Sequence, residues 1–157
     1  MEIEFTEQAK QRLNDIVGRY PVRRAALLPV LHLAQEQFGY ISREVEEYVA
    51  QVMELPVSDI HEVVTFYTLF HQKPIGKYHF QVCRNIACHL LGYDQIIKRC
   101  VEKLSVRPGE TSADGRYSLA TVECLAACET APMMQLNDDY IGNLTAERID
   151  AIIEGLD

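Results

Sequence analysis

The chain has 157 residues, enough for one ordinary domain or two small ones. It is 48% hydrophobic and 24% charged, which excludes wholesale disorder. Fifteen Lys and Arg against 23 Asp and Glu leave a formal net charge of −8, which disfavours contact with a phosphate backbone and so a nucleic-acid role.

Up to the stretch Lys73-Pro74-Ile75-Gly76 the hydrophobic period is helical. Thr6 is positioned to cap a first helix whose apolar face is Ala9, Leu13, Ile16, Val17 and Tyr20, with Pro21 as its stop. Leu27, Leu31, Ala34 and Phe38 form a second stripe, closed by Gly39. Ser42 caps a third helix carrying Val45, Tyr48, Val49, Val52 and Met53. Ser58 or Asp59 caps a short fourth with Ile60, Val63, Val64 and Tyr67. Short connections make these helices neighbours in a small bundle.

After Gly76 strands and helices alternate. Residues 78–82 read as a strand, 90–104 as a helix with Ile97, Cys100, Val101 and Leu104 on one face, and 117–122 as a second strand. Pro108-Gly109 and Asp114-Gly115 mark a loop. Residues 133–136 form a third strand and Tyr140-Ile141 a short fourth, after the Asn137-Asp138-Asp139 turn. Thr145 caps a last helix with Ile149, Ile152, Ile153 and Leu156 on one face. The expected architecture is α+β: a helical region over 1–77, then a small mixed sheet layered with helices over 78–157. The acidity is shared, net −3 over 1–77 and net −5 over 78–157, and reads as solvated surface.

The opening MEIEFTEQAK is polar and acidic, unlike a secretory signal, and the apolar runs, such as residues 25–30, fall far short of the ~20 residues that cross a bilayer. The expected setting is the cytosol. There, clustered cysteines bind metal or do redox work more often than they form disulfides.

All five cysteines lie in the C-terminal half, an odd number that argues against a paired disulfide framework. Four residues separate Cys83 from Cys88, three separate Cys124 from Cys128, and 35 lie between the pairs. Each pair follows a predicted strand, so four thiolates would gather at one edge of the domain. Soft thiolates suit zinc or an iron–sulfur cluster. Zinc knuckles are usually tighter than these spacings, whereas a [2Fe–2S] cluster needs four ligands spread over two irons. Spacing favours iron–sulfur and leaves zinc open. The spacing of plant-type ferredoxins and the run of bacterial two-cluster ferredoxins are both absent. The small or apolar Ile86, Ala87, Leu125, Ala126 and Ala127 would shield the sulfurs, and a helix starting after Cys88 would aim N–H groups at them.

Other candidates read as structural. His89 is a residue near the ligands or a helix-start residue; His32, His61, His71 and His79 lack ligand spacing; Glu123 and Glu129 are solvated charges beside the cysteines; Cys100 is a buried small hydrophobe. No nucleophile–base motif, dinucleotide fingerprint or P-loop is present, and a thiol–disulfide enzyme would need a C-x-x-C pair that the chain lacks.

The stretches VCRNIACHLLGYDQIIK and RPGETSADGRYSLATVECLAACETAPMMQLND, with EVVTFYTLFHQKPIGKY and LPVLHLAQEQFGYIS upstream, carry C-x4-C-H, P-G-E, D-G-R-Y and E-C-L-x-x-C-x-x-A-P. Together they resemble the thioredoxin-like [2Fe–2S] ferredoxin subunit of NADH:quinone oxidoreductase, respiratory complex I. The resemblance runs from about Leu13 to the end. It implies a helical N-terminal region, then a thioredoxin-like domain whose cluster ligands are Cys83, Cys88, Cys124 and Cys128; the helices over 1–77 exceed what a minimal cluster fold requires and are expected to dock to a partner. Cys100 lies outside the motif. Ala127 stands where the family often has Gly, and Pro132 where thioredoxin folds carry a cis-proline.

The family further implies single-electron exchange with the FMN of a neighbouring subunit that also binds NADH. The cluster lies off the main path to quinone, with electron storage and a shorter-lived flavin radical as its proposed roles. The resemblance implies a cytoplasmic place, peripheral to the inner membrane through the complex, with no insertion of this chain itself. Related modules serve NAD-reducing hydrogenases and NAD-dependent formate dehydrogenases. A structural zinc-binding interaction module is the remaining alternative.

Overall fold

The computed structural model describes residues 3–156. The chain divides into two compact units, Met1–Pro74 and Ile75–Asp157.

The first unit is helical. Helices α1 (Glu7–Val17), α2 (Leu27–Phe38), α3 (Arg43–Met53) and α4 (Val57–Phe66) surround one core, and a 3₁₀ turn over Arg23–Ala26 leads into α2. The caps on α1 and α3 are those the sequence indicates. The Ala9 N–H donates to Thr6 Oγ1 at 3.2 Å, and the Val45 N–H to Ser42 Oγ at 3.3 Å. Two expectations are corrected, and one buried charge is added. Helix α1 ends at Gly18 rather than running to Pro21, which leaves Tyr20 exposed outside it. Helix α4 starts one residue before Ser58, behind Pro56, and no side chain caps it. Glu46 is buried, although it lies among polar residues of α3. Its carboxylate accepts from Arg43 Nη1 at 3.0 Å and faces His61 Nδ1 at 3.0 Å, partners that offset the cost of removing a charge from water. The core itself follows the apolar stripes: Leu27, Val30, Leu31, Ala34, Val45, Val49, Met53 and Ile60 are almost fully buried. Each large aliphatic side chain among them contributes about 1.5–3 kcal/mol by leaving water.

The second unit is a five-stranded mixed sheet of order β2-β3-β1-β4-β5: β1 (Tyr78–Cys83), β2 (Glu110–Thr111), β3 (Tyr117–Val122), β4 (Met134–Leu136) and β5 (Asp139–Ile141). Strands β1 and β3 are parallel, and every other pairing is antiparallel. A parallel pair needs a crossover, and helix α6 (Tyr93–Leu104) lies in that connection. Phe80 and Val82, two apart on β1, face the same side. They share a core with Leu119, Met134, Ile96, Cys100 and Leu104 of α6, and Ile149 of α7 (Ala146–Glu154).

The single helix expected over 90–104 is two. A five-residue helix, α5 (Ile86–Leu90), precedes α6, and the break falls at Gly92, whose φ of 114° suits glycine and would strain other residues. The buried face of α6 is set by Ile96, Cys100 and Leu104, with Ile97 and Val101 only half-buried. On α7 only Ile149 is buried. Strand β2 has no counterpart in the sequence pattern: it is two exposed residues of an edge strand, held by pairing with Leu119 and Ser118.

Candidate metal centre

Strands β1 and β3 end together. Cys83, the last residue of β1, pairs in register with Val122, the last residue of β3, and the Arg84 N–H donates to the Val122 carbonyl at 2.9 Å. Neighbouring strands stand about 4.8 Å apart, so the two cysteine loops leave the sheet side by side. Cys83 and Cys88 belong to the first loop. The expected order of cysteine and helix is reversed: Cys88 lies inside α5, whose start is capped by Asn85 Oδ1 accepting from the Ile86 N–H at 2.8 Å. Cys124 and Cys128 belong to the second loop, with Cys128 opening a 3₁₀ turn over Cys128–Thr130.

The sulfurs differ in environment. Cys83 and Cys88 are buried with Leu125 and Met133, and Val122, Ala127 and Ala131 pack around them. Cys124 and Cys128 are exposed. Burial pushes the Cys88 thiol up to about 11, and the neighbouring sulfurs of Cys83 and Cys128 act in the same direction. The Met133 backbone acts against this rise. The Ala126 N–H donates to Cys124 Sγ at 3.3 Å. That turn places Ala126, not Ala127, in the left-handed region, with φ of 57°. Ala127 has φ of −121°, so its methyl meets no left-handed strain. The Ala131–Pro132 peptide, which joins this loop to β4, is cis.

The structure thus brings Cys83 and Cys88 into contact, sets Cys128 near them, and places Cys124 two residues beyond the end of β3. Among the described residues, no three His, Cys, Asp or Glu side chains are gathered about a point that could hold a single metal ion. Cys100 lies apart in the core of the second unit, where burial pushes its thiol up to about 12. In iron-free chain at pH 8, iodoacetamide is therefore expected to label Cys124 and Cys128 first and Cys100 last. Peptide mass spectrometry reads that order, and early labelling of Cys100 would contradict its burial.

The histidines have structural neighbours. His89 stacks on Tyr93 at 5.6 Å, His32 packs edge-on to Phe70 at 5.3 Å, and His61 faces Glu46. His71 joins the first unit through its backbone, and burial lowers its pKa; His79 is buried on β1. Glu129 is exposed in the 3₁₀ turn. Glu123 has a partner that sequence reasoning missed. Arg84, beside Cys83, donates Nε to Glu123 Oε1 at 3.0 Å, with Nη2 on the same oxygen. No local pattern pairs residues from two different loops.

The mixed sheet with helices packed against it and a cysteine loop at each of two adjacent strand ends is a thioredoxin-like α+β domain. The family model for thioredoxin-like [2Fe–2S] ferredoxins matches residues 13–157, and the chain belongs to that family. It is 45% identical over 145 residues to the second E-type NADH-quinone oxidoreductase subunit of Rhizobium meliloti (strain 1021), covering 92% of this chain and 86% of that protein. It is 47% identical over 155 residues to the E-type NADH-quinone oxidoreductase subunit of Rickettsia bellii (strain RML369-C), covering 97% and 93%. A crystal structure of an NAD+-reducing [NiFe]-hydrogenase in the air-oxidised state superposes with a TM-score of 0.72 at 26% identity. The match covers 82% of this chain and 22% of the hydrogenase chain.

The donor chemistry fits the group that the family name implies. Four thiols on two adjoining loops are a soft, all-sulfur set, and the Ala126 N–H already donates to one of them, Cys124. Among the described residues, no helix is long and apolar enough to cross a membrane.

Proposed function

We propose that this chain is the electron-transfer subunit of an NADH-quinone oxidoreductase, with Cys83, Cys88, Cys124 and Cys128 as ligands of one [2Fe–2S] cluster. The observation that carries the reading is the near full-length likeness to two NADH-quinone oxidoreductase subunits, joined to the placement of both cysteine pairs at adjacent strand ends. When bound, the cluster supplies one-electron chemistry, and its exchange partner is the FMN of a neighbouring NADH-oxidising subunit.

The protein's own part is to hold and insulate. Buried Leu125 and Met133, with Val122 around them, exclude water from the Cys83 and Cys88 sulfurs. The Met133 backbone and the Ala126 N–H stabilise charge on sulfur. This chain has no complete active site of its own; FMN and NADH belong to the partner. The helical unit serves docking to that partner, and the complex keeps the chain cytoplasmic and peripheral to the inner membrane. The hydrogenase likeness supports a second host, the equivalent subunit of an NAD-reducing hydrogenase. The quinone-linked reading is stronger because its relatives are far closer in sequence and similar in length.

The expected result is two irons and two labile sulfides per chain, a brown colour, an EPR signal on reduction, and co-purification with a flavin subunit from native membranes. One zinc per chain with no visible absorbance would overturn the reading.

A further inference from the structure

The β1–β3 ladder continues one backbone hydrogen bond beyond the paired strands, from the Arg84 N–H to the Val122 carbonyl. The next rung is made by side chains. Arg84 Nε and Nη2 both reach Glu123 Oε1, joining residues 39 apart in sequence. Arg84 follows Cys83 directly, and Glu123 directly precedes Cys124. Each end of the pair therefore sits one residue from a cysteine, and the two cysteines belong to different loops.

We propose that Arg84 and Glu123 are positioning residues that clamp the two cysteine loops against each other and so set the separation of the Cys83/Cys88 and Cys124/Cys128 pairs. This rests on the assignment of those four cysteines to the cluster. The clamp acts at the Cys124 end of the second loop: Cys124 and Cys128 are exposed, whereas Cys83 and Cys88 are buried, and the backbone ties of this loop to Asn143 and Leu144 lie at its far end, beyond Cys128. Both charged side chains are at least half exposed, so solvent weakens their attraction and the effect is modest. Their charges also mark the site with opposite signs. Reduction adds negative charge, so a nearby carboxylate opposes it and a nearby guanidinium favours it.

The test uses the full chain loaded with its cluster, in wild-type form and as Arg84→Gln, Glu123→Gln and the exchanged double variant Arg84→Glu/Glu123→Arg. Two quantities are read: the rate at which a chelator removes iron, and the reduction potential by EPR-monitored titration. Each single variant is expected to release iron about two- to fivefold faster. Their potentials shift in opposite directions, up for Glu123→Gln and down for Arg84→Gln. The double variant returns the release rate towards wild type. Opposite potential shifts with unchanged release would show a field without a clamp and overturn the proposal. So would faster release that the exchanged pair fails to slow. A wild-type chain that binds no iron would instead overturn the cysteine assignment, and the clamp with it.

Discussion

Serine at any one of positions 83, 88, 124 or 128 is expected to cost the protein most of its iron, while Cys100→Ser keeps it. The thiolate is a soft ligand, and a serine hydroxyl is a hard one that stays protonated near neutral pH. Disturbing groups merely hydrogen-bonded to a metal ligand costs roughly 10–100-fold in affinity, so removing a ligand should cost more. The buried pair has a second reason to fail. Ser at 83 or 88 places a hydroxyl among Leu125 and Met133, where an unpaired polar group is costly. Cys100 provides the contrast. It is fully buried in the sheet–helix core, outside the cysteine cluster at the strand ends. Its serine variant loses about 1–3 kcal/mol of stability by burying a hydroxyl, but no ligand. Iron content and visible absorbance across the five variants decide the matter. Iron loss confined to Cys100→Ser would refute the ligand assignment.

Gly142→Ala carries the second large effect. A β-carbon at 142 would lie 2.8 Å from the Thr130 carbonyl oxygen and closer still to the Thr130 side chain. Thr130 ends the 3₁₀ turn that begins at Cys128. The segment after β5 that carries Gly142 is tied to this turn, because the Asn143 N–H donates to the Thr130 carbonyl at 2.6 Å and the Leu144 N–H to the Pro132 carbonyl at 2.9 Å. The contact includes backbone, so a rotamer change cannot relieve it; either the Cys128 turn or the strap over it must move. Such overpacking costs about 1–3 kcal/mol, which for a small unit lowers Tm by roughly 5–20 °C. Iron should also leave faster under chelator, because the displaced turn carries Cys128. Gly155→Ala is the control: its added carbon meets only ordinary contacts at 3.4 Å and beyond, and its φ of −85° suits alanine. Melting by circular dichroism compares them, and equal midpoints for Gly142→Ala and wild type would show that the close approach is not sensed.

Where the sequence was readable, a local rule was at work. Apolar residues at helical spacing placed α1, α2 and α3, and Thr6 and Ser42 marked two of their starts because a cap bonds to a residue three positions away. Short β-type runs place β1 and β3, and the spacing of four cysteines points to a thiolate-held centre. The failures lie where a distant partner outweighs the local signal. Strand β2 has no apolar pattern and forms because β3 offers an edge to pair with. Glu46 looks like a solvent residue of α3, and His61 on α4, with Arg43, makes its burial tolerable.

The amino-acid order alone therefore indicates most of the helices and strands and the spacing within each cysteine pair, since each depends on residues within a turn or two of one another. The meeting of the two cysteine pairs depends on something else. It follows from parallel pairing of β1 with β3, with Cys83 opposite Val122, across a connection that contains α6. Long-range pairing must overcome loop-closure entropy, and it does so here through the core that Phe80, Leu119 and Ile96 share. The same pairing brings Arg84 to Glu123 and sets the two cysteine loops side by side.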